Sequence, residues 1–339
     1  MKVLGIETSA DETAAAVVQD GRTLLSSVVA SSLDMHKAYG GIVPEIAARS
    51  HIEAIIPVID SAMKEAKTGW DDIDAIAVTQ GPGLLGSLLI GVTTAKTIAI
   101  IKNKPLIPIN HVRAHVYAAF LTDTPPQFPF LALIVSGGHT QLVLFKNHSS
   151  YNLLGQTRDD AAGEAYDKVA KMLGLPYPGG PSVAKLALSG GSSVFRFPEA
   201  KMENRYDFSF SGLKTAVLRT AQTISGNDYT FPSSRLPKAL NKAQKADLAA
   251  SFQFTINNTL ASALAKAVEA TKPKSTVVAG GVAASESLRR TISEQVPTPV
   301  IYPPINLCTD NAAMIAALGY YQKPLKDPNL IEVIPNLSM

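Results

Sequence analysis

The hydrophobic pattern changes its period along the chain, and these changes predict alternating strands and helices. A short apolar run at residues 3–6 is followed by two β-tolerant runs at residues 13–19 and 23–30, separated by the hairpin dipeptide Asp20-Gly21. Apolar positions then recur at helical spacing between residues 43 and 67. The chain is therefore predicted to begin with a three-stranded β-meander and to continue with a helix.

The alternation of strand and helix continues as far as residue 126. Two further buried strands are predicted at residues 75–79 and 106–109, and two helices at residues 84–102 and 112–121. The first of these helices is apolar enough to suggest a membrane span, but serine, threonine and lysine side chains interrupt it, which favours a buried helix. Two consecutive prolines then break the pattern at residues 125 and 126, and we predict a domain boundary there.

The second half of the chain begins as the first does. An apolar strand at residues 130–135, a turn of small polar residues at 136–140 and a second strand at 141–145 repeat the strand, turn and strand that open the chain. Mostly helical patterns follow. This internal repeat predicts two related α/β domains, at residues 1–125 and 126–339.

Composition limits the possible classes of protein. Hydrophobic residues make up 46% of the 339 and charged residues 17%, so the chain can bury a large core and has no charge block typical of a disordered tail. The net charge of +3 permits an anionic partner such as nucleic acid without requiring one. Cys308 is the single cysteine, which excludes an intramolecular disulfide and fits a reducing compartment. Because the first residues also lack a signal-peptide pattern, we expect a cytoplasmic protein.

Three turns rich in small residues could contact a nucleotide. A hairpin turn of serine, threonine and glycine can direct several backbone N–H groups toward one phosphate, and the chain has two such turns, at residues 8–13 and 136–140. Each could equally be an ordinary hairpin, since turns favour these residues. Gly280 and Gly281 follow a predicted strand and precede a helix, where small residues allow a flat ligand to approach; close packing would explain them as well.

Two histidines at helical spacing are candidate metal ligands. His111 and His115 lie four residues apart and can project from one helix face toward one ion, or they can be ordinary helix-surface histidines. Val112 stands where a zinc-peptidase His-Glu-x-x-His motif has its glutamate, so that chemistry loses its main support. A third ligand would decide between the two interpretations.

Four acidic residues have both a structural and a chemical interpretation. Asp310 could cap the apolar helix that follows it or bind a cation. Asp11 and Glu12 could be solvent-exposed acids of the first turn, or they could orient a substrate beside a phosphate and a metal. Asp167 could be a helix-surface acid or could accept hydrogen bonds from ribose hydroxyl groups.

Together these motifs resemble the TsaD family of tRNA N6-adenosine threonylcarbamoyltransferases. The resemblance rests on five segments that occur in the family's order along nearly the whole chain: residues 7–13, 111–115, 136–140, 177–181 and 308–314. It implies an α/β actin/hexokinase-like (ASKHA) fold of two duplicated domains, with the nucleotide and metal site in the cleft between them.

The resemblance also implies roles for individual residues. His111, His115 and Asp310 would bind one divalent metal, Fe2+ or Zn2+, so that Asp310 supplies the missing ligand. Asp11 and Glu12 match the family's acidic pair near the reacting centre. The nucleotide would be threonylcarbamoyl-AMP, or ATP or ADP. Its contacts would be the residues at the family's nucleotide-binding positions: Ser136, Gly137, Gly138, His139, Thr140, Asp167, Gly180 and Ser285.

Three residues depart from the family pattern. Ser285 replaces a usual asparagine and Ala184 a common aspartate, and both positions belong to the inferred nucleoside contacts. We expect Ser285 to weaken nucleotide binding by one hydrogen bond, roughly 0.5–1.5 kcal/mol. Ala10 replaces a usual cysteine, and little consequence is expected.

The implied reaction moves a threonylcarbamoyl group from threonylcarbamoyl-AMP to N6 of adenosine 37 in tRNAs that read ANN codons. The implied partners are tRNA, a small actin-like protein similar to TsaB and an ATPase similar to TsaE, with no membrane. A sugar or acetate kinase of the same fold is the alternative within enzymes, and a non-catalytic actin-like scaffold is the alternative outside them. A peptidase is disfavoured because no motif supplies its general base.

Overall fold

The structure, a computed structural model, describes residues 1–37 and 39–339, which contain ten strands and eleven α-helices. The strands are β1 (Lys2–Glu7), β2 (Glu12–Gln19), β3 (Thr23–Ser31), β4 (Ala75–Gly81), β5 (Leu106–Asn110), β6 (Phe130–Val135), β7 (Thr140–Asn147), β8 (Ser150–Gln156), β9 (Ser275–Ala279) and β10 (Val300–Ile301). The helices are α1 (Leu33–Lys37), α2 (Pro44–Glu65), α3 (Leu85–Lys102), α4 (His111–Tyr117), α5 (Ala162–Leu173), α6 (Gly179–Ala187), α7 (Ser211–Ile224), α8 (Leu236–Ala239), α9 (Lys242–Thr271), α10 (Glu286–Gln295) and α11 (Ala312–Tyr320).

The chain forms two compact units. Unit 1 comprises Met1–Pro126 and Ile301–Met339, and unit 2 comprises Gln127–Val300. The first boundary lies one residue from the predicted one, but the structure differs from the predicted second domain of residues 126–339, because residues 301–339 return to unit 1. The physical reason is α11, whose apolar residues are buried against β1 and β2. Gly5 allows this close approach, since a Cβ there would lie 2.3 Å from the carbonyl oxygen of Ala312.

The two sheets have the same topology. The strand order is β3-β2-β1-β4-β5 in unit 1 and β8-β7-β6-β9-β10 in unit 2. In each sheet the central strand pairs antiparallel with the strand that follows it and parallel with a later strand. In unit 1, Val3 lies opposite Val18 and Ala75. In unit 2, Leu131 lies opposite Leu144 and Thr276. This equivalence confirms the duplication predicted from the sequence.

Burial explains which elements the hydrophobic pattern predicted well. Every residue of β6 is buried, and so are all residues of β1 after Lys2, so their apolar runs are nearly continuous. The edge strand β8 was not predicted, because most of its residues are exposed or half-buried and leave little pattern. In both sheets, therefore, the central strand is the element that the sequence specifies most strongly.

Helix α3 packs inside unit 1 along one stripe. Its buried residues recur at helical spacing from Ser87 to Ala99, and they face β4 and α2. It is the one described helix long and apolar enough to cross a membrane, with 33% of its residues buried. The buried stripe agrees with the prediction of a core helix.

Candidate functional site

Both predicted histidines lie in α4, which follows β5 directly. Asn110 is the N-cap of α4, and its side-chain oxygen accepts a hydrogen bond from the backbone N–H of Arg113 at 3.0 Å. Because the helix begins at His111, His111 and His115 lie one turn apart on one face, with ring centroids separated by 4.7 Å. They are only 6% and 1% exposed, which rules out the helix-surface interpretation.

Asp310 completes this cluster and comes from the second segment of unit 1, Ile301–Met339. Its Oδ1 lies 3.5 Å from Nε2 of both His111 and His115, and the three candidate ligand atoms lie within 4.8 Å of one another. The N-cap of α11 is Asn311, which accepts a hydrogen bond from the backbone N–H of Met314 at 3.0 Å, so Asp310 does not cap that helix. Two imidazoles and one carboxylate form a donor set that fits a divalent first-row metal. The group could therefore hold a metal ion.

Glu7, at the end of β1, orients His111. Its Oε2 lies 2.9 Å from His111 Nδ1 and accepts a hydrogen bond from Thr79 Oγ1 at 2.6 Å, while its Oε1 accepts one from the backbone N–H of Ser9. Because Nδ1 of His111 contacts Glu7, its Nε2 faces Asp310. A carboxylate behind a histidine ring is a common arrangement around metal-binding histidines. Glu7 was not among the site residues predicted from the sequence. The available signal was a glutamate at the end of an otherwise apolar strand.

The charges of this cluster attract a cation. Burial alone would lower the pKa of His111, but the carboxylates of Glu7 and Asp310 outweigh burial and hold the pKa well above its ordinary value. Burial would likewise raise the pKa of Glu7, but His111 outweighs it and lowers the pKa. Glu7 is therefore held as an anion, and with Asp310 it gives the histidine pair a negative environment.

The turn between β1 and β2 is fixed by its surroundings. The carbonyl oxygen of Ala10 accepts hydrogen bonds from His51 Nε2 at 3.0 Å and from Ser87 Oγ at 3.3 Å. The carbonyl oxygen of Asp11 accepts from the backbone N–H of Ser32 at 3.1 Å and from its Oγ at 2.8 Å. Helices α2 and α3 and the end of β3 thus hold the backbone that carries the acidic pair.

Asp11 and Glu12 are half-buried rather than fully exposed. Oε1 of Glu12 accepts a hydrogen bond from Ser31 Oγ at 2.8 Å, whereas Oε2 is buried without a partner among the described residues. Burial raises the pKa of Glu12 to about 7, and the neighbouring Asp11 adds to the effect. Burial and the charge of Asp310 also raise the pKa of Asp11. Simple solvent exposure therefore does not account for this pair.

The equivalent turn in unit 2 is open. The backbone N–H of Ser136 donates to the carbonyl oxygen of His139 at 2.8 Å, and the backbone N–H of His139 donates to Ser136 Oγ at 3.2 Å. Gly137 and Gly138, between them, are exposed, and nothing lies within 4 Å of the position that a Cβ would take at either residue. A ligand can therefore approach the backbone of this turn closely.

Helix α5 begins beside the same turn. The backbone N–H of Gly163 donates to the carbonyl oxygen of Ser136 at 3.2 Å, and that of Ala162 donates to Thr140 Oγ1 at 2.9 Å. Thr140 is completely buried, so its hydroxyl supports the start of α5. A glycine turn beside a helix N-terminus is well suited to an anion.

Asp167 and Gly180 are linked through the start of α6. Oδ1 of Asp167, in α5, accepts a hydrogen bond from the backbone N–H of Gly179 at 2.6 Å. Gly180 follows, and no atom lies within 4 Å of its would-be Cβ. Asp167 is therefore linked to the residue that precedes Gly180, and there is open space beside Gly180.

Ser285 has a structural role that explains how it can replace asparagine. Its hydroxyl accepts a hydrogen bond from the backbone N–H of Leu288 at 3.4 Å and caps α10, a role that serine and asparagine fill about equally well. Earlier in the same connection, Gly280 has a φ of +97°, and its would-be Cβ would lie 2.3 Å from the carbonyl oxygen of Val135. The end of β9 thus lies against the end of β6, next to the open turn.

The predicted site residues divide between the two units. Unit 1 contains the candidate metal ligands and the acidic pair: Asp11, Glu12, His111, His115 and Asp310. Unit 2 contains the predicted nucleotide contacts: Ser136, Gly137, Gly138, His139, Thr140, Asp167, Gly180 and Ser285.

Comparison with known proteins identifies the family. The model of the TsaD family, tRNA N6-adenosine threonylcarbamoyltransferase, matches residues 23–317. The chain belongs to the TsaD family. A protein of that name from Thermomicrobium roseum is 51% identical over 335 residues, covering 95% of this chain and 92% of the relative. Another, from Dehalococcoides mccartyi, is 47% identical over 341 residues, covering 100% of this chain and 99% of the relative.

Solved structures agree on the fold of this TsaD-family chain. Full-length HypF in its phosphate- and nucleotide-bound form is similar with a TM-score of 0.58 and 12% identity, over 94% of this chain and 46% of that chain. Component A of the Acidaminococcus fermentans (R)-2-hydroxyglutaryl-CoA dehydratase is similar with a TM-score of 0.52 and 16% identity, over 95% and 98% of the two chains. The predicted α/β actin/hexokinase-like fold is confirmed. Family membership also confirms the predicted enzyme class, a transferase of tRNA modification, over the kinase and scaffold alternatives.

Proposed function

We propose that this chain transfers the threonylcarbamoyl group from threonylcarbamoyl-AMP to N6 of adenosine 37 in tRNAs that read ANN codons. Family membership supports the reaction class. The observation that supports the residue assignment is the convergence of His111, His115 and Asp310 in the unit that also carries the half-buried Asp11 and Glu12.

Fe2+ is the metal that we assign to His111, His115 and Asp310, with Zn2+ as the alternative. Two imidazoles and a carboxylate are the donor set of many non-haem iron sites, and they also occur with zinc. When bound, the ion supplies positive charge to phosphate and carbonyl oxygens of the substrate. Glu7 has a positioning role, because its contact with Nδ1 fixes the ring of His111.

Unit 2 supplies the nucleotide contacts in this proposal. The exposed backbone of Gly137 and Gly138 offers N–H groups to a phosphoryl oxygen, and Gly180 leaves space for the ligand. The carboxylate of Asp167, which accepts a hydrogen bond from the backbone N–H of Gly179, is assigned to a ribose hydroxyl. ATP and ADP share these groups and would compete with threonylcarbamoyl-AMP for the same residues.

Glu12 is the proton acceptor that we assign. The N6 amine of the adenosine attacks the carbamoyl carbon, the bond from that carbon to the phosphate oxygen breaks, and AMP leaves with the electron pair. The proton lost by N6 passes to the carboxylate of Glu12, whose pKa of about 7 suits proton transfer near neutral pH. Asp11 orients the incoming amine as a hydrogen-bond acceptor.

A TsaB-like actin-fold partner would dock on the outer face of α2 and α3. Ile52 and Ile56 on α2, and Leu85 and Leu89 on α3, are each at least 45% exposed and repeat at helical spacing. The two helices pack side by side, and four exposed large apolar side chains there are typical of an interface. We also propose an ATPase similar to TsaE as a partner, which rests on the family resemblance. A cytoplasmic location is proposed because the single cysteine, Cys308, fits a reducing compartment.

The proposal is tested by incubating the metal-loaded protein with tRNA, threonylcarbamoyl-AMP and candidate partners, and analysing the tRNA nucleosides by mass. We expect a new threonylcarbamoyl-adenosine that is absent when Asp11 is changed to alanine. An unmodified tRNA, with the wild-type chain folded and metal bound, would contradict it.

A further inference from the structure

A groove along α7 has the composition of a phosphate-binding surface. Its volume is about 510 Å³, and it lies between residues 196–198 and residues 211–220 of α7. No lining residue is acidic. The lining includes two arginines, one aromatic ring and three hydroxyl side chains: Arg196, Phe197, Ser211, Thr215, Arg219 and Thr220.

We propose that this groove binds the sugar-phosphate backbone of the RNA substrate. The inference rests on the proposed function, which makes a tRNA the acceptor. Arg196 and Arg219 are exposed, and neither forms an ion pair within the part of the chain that the structure describes. Two guanidinium groups that form no ion pair among the described residues match phosphate oxygens, and the ring of Phe197 offers a surface on which a base can stack.

The start of α7, which lines one end of the groove, is held by Asp159. Its Oδ1 accepts hydrogen bonds from the backbone N–H groups of Phe210 at 2.8 Å and Ser211 at 3.3 Å. Its Oδ2 accepts from the hydroxyl groups of Ser209 and Ser211. The start of α7 therefore does not need to reorganise when a ligand binds, which lowers the entropic cost of binding.

Arg219 is also positioned before binding. Its guanidinium carbon lies 5.6 Å from the centroid of the Tyr229 ring. Gln222, one turn further along α7, donates hydrogen bonds to the carbonyl oxygens of Tyr229 at 3.2 Å and Phe231 at 2.8 Å, so the loop that carries the ring is fixed to the helix. A stacked arginine loses less side-chain entropy on contact with a phosphate.

A basic run follows this loop in the sequence. Residues 229–246 contain four basic residues and no acidic one: Arg235, Lys238, Lys242 and Lys245. The side chain of Gln244 donates to the carbonyl oxygen of Ile224 at 2.9 Å, which ties the start of α9 to the end of α7. The cations therefore follow one another along connected elements of unit 2. This arrangement suits a chain of phosphates better than a single small anion.

The groove and the open turn belong to one connected part of unit 2. Asp160, next to the helix-capping Asp159, accepts hydrogen bonds from Lys168 of α5 at 2.6 Å and from Lys214 of α7 at 2.8 Å. These ion pairs join the helix that lines the groove to the helix that begins beside Ser136. An RNA bound in the groove would thus be held by the same unit that we assign to threonylcarbamoyl-AMP.

The test compares tRNA binding by the wild type with binding by the double variant Arg196→Ala/Arg219→Ala over a range of salt concentrations. The matched control is Arg205→Ala/Arg290→Ala, which removes the same charge from exposed positions of unit 2 outside the groove. We expect the groove variant to bind at least about tenfold more weakly near physiological salt, with a slope of log affinity against log salt reduced by about one to two. The control should keep the wild-type slope. Equal slopes for the groove variant and the wild type would overturn the inference.

Two further measurements separate the possible outcomes. Restoring charge with Arg196→Lys/Arg219→Lys should recover most of the slope, which a merely structural defect would not do. Inorganic phosphate at constant ionic strength should not displace tRNA from the wild type; displacement that disappears in the double alanine variant would identify a small-anion site instead.

Turnover distinguishes this inference from the proposed function. With tRNA in excess, the groove variant should keep kcat while its KM for tRNA rises. If the wild type binds tRNA in a groove-dependent manner but transfers nothing, the proposed function fails and the groove assignment stands. If the wild type transfers normally and the groove variant has an unchanged KM, only the groove assignment fails.

Discussion

The turn that follows β1 and the turn that follows β6 occupy equivalent positions in sheets of equal topology, yet they have opposite surroundings. The first is tied to α2, α3 and the end of β3, and it carries two half-buried acids. The second exposes two glycines with nothing packed against them. A duplicated strand-turn-strand unit can therefore present either side-chain carboxylates or bare backbone, depending on what packs over the turn.

The largest expected effect concerns the acids of the first turn. Glu12→Gln should lower the rate of threonylcarbamoyl transfer by about 10²–10⁴-fold, because the amide cannot accept the proton from N6. Single-turnover assays with bound metal measure this rate. Glu294→Gln, at an exposed position of α10 in unit 2, is the control and should leave the rate unchanged. If Glu12→Gln transferred the group at the wild-type rate, the first turn would not supply the proton acceptor, and the proposed chemical difference between the two turns would be wrong.

A smaller effect is expected from the residue that orients His111. Glu7→Gln should lower the affinity for Fe2+ or Zn2+ by about 10–100-fold, because the contact with Nδ1 weakens while all three ligands remain. Competition with a chelator measures the affinity, and Asp34→Asn, which removes an exposed acid of α1, provides the comparison. An unchanged metal affinity would show that Glu7 serves only the packing of β1.

Replacing a glycine by alanine near each turn tests whether the first turn is tightly packed and the second is open. Gly83→Ala should destabilise the protein by about 1–3 kcal/mol, because its Cβ would lie 2.5 Å from the carbonyl oxygen of Ser9 in the first turn. Gly138→Ala should leave the free energy of unfolding nearly unchanged and weaken nucleotide binding instead. Denaturant unfolding and nucleotide titration separate the two results. Equal destabilisation by both variants would contradict the contrast.

The smallest effect is a pH dependence of stability at Glu12. Its pKa of about 7 in the folded protein exceeds the ordinary value of 4.5, so the folded state holds its proton more tightly than the unfolded state does. The wild type should therefore lose stability relative to Glu12→Gln as pH rises from about 4.5 through 7, by on the order of 1 kcal/mol after solvent screening. The two proteins should match at pH 4, and unfolding curves at both ends of this range measure the difference.

The sequence predicted the central strands and the duplication well because these depend on local hydrophobic period. It could not show that Asn311 rather than Asp310 caps α11, since both residues are good caps and only the fold reveals which one points at the histidines. The raised pKa of Glu12 was equally hidden, because burial depends on segments distant in sequence. The return of residues 301–339 to unit 1 was missed because nothing local marks which sheet α11 covers.

That return has a consequence for how the protein is made. During synthesis His111 and His115 leave the ribosome early, whereas Asp310 and the helix that covers β1 emerge only after the whole of unit 2. A chain that stops before Asp310 thus lacks both the third candidate ligand and the helix that covers β1 and β2. The complete set of three candidate ligands is therefore assembled only after unit 2 has been synthesised, and a chain that stops before Asp310 offers an ion only two histidines.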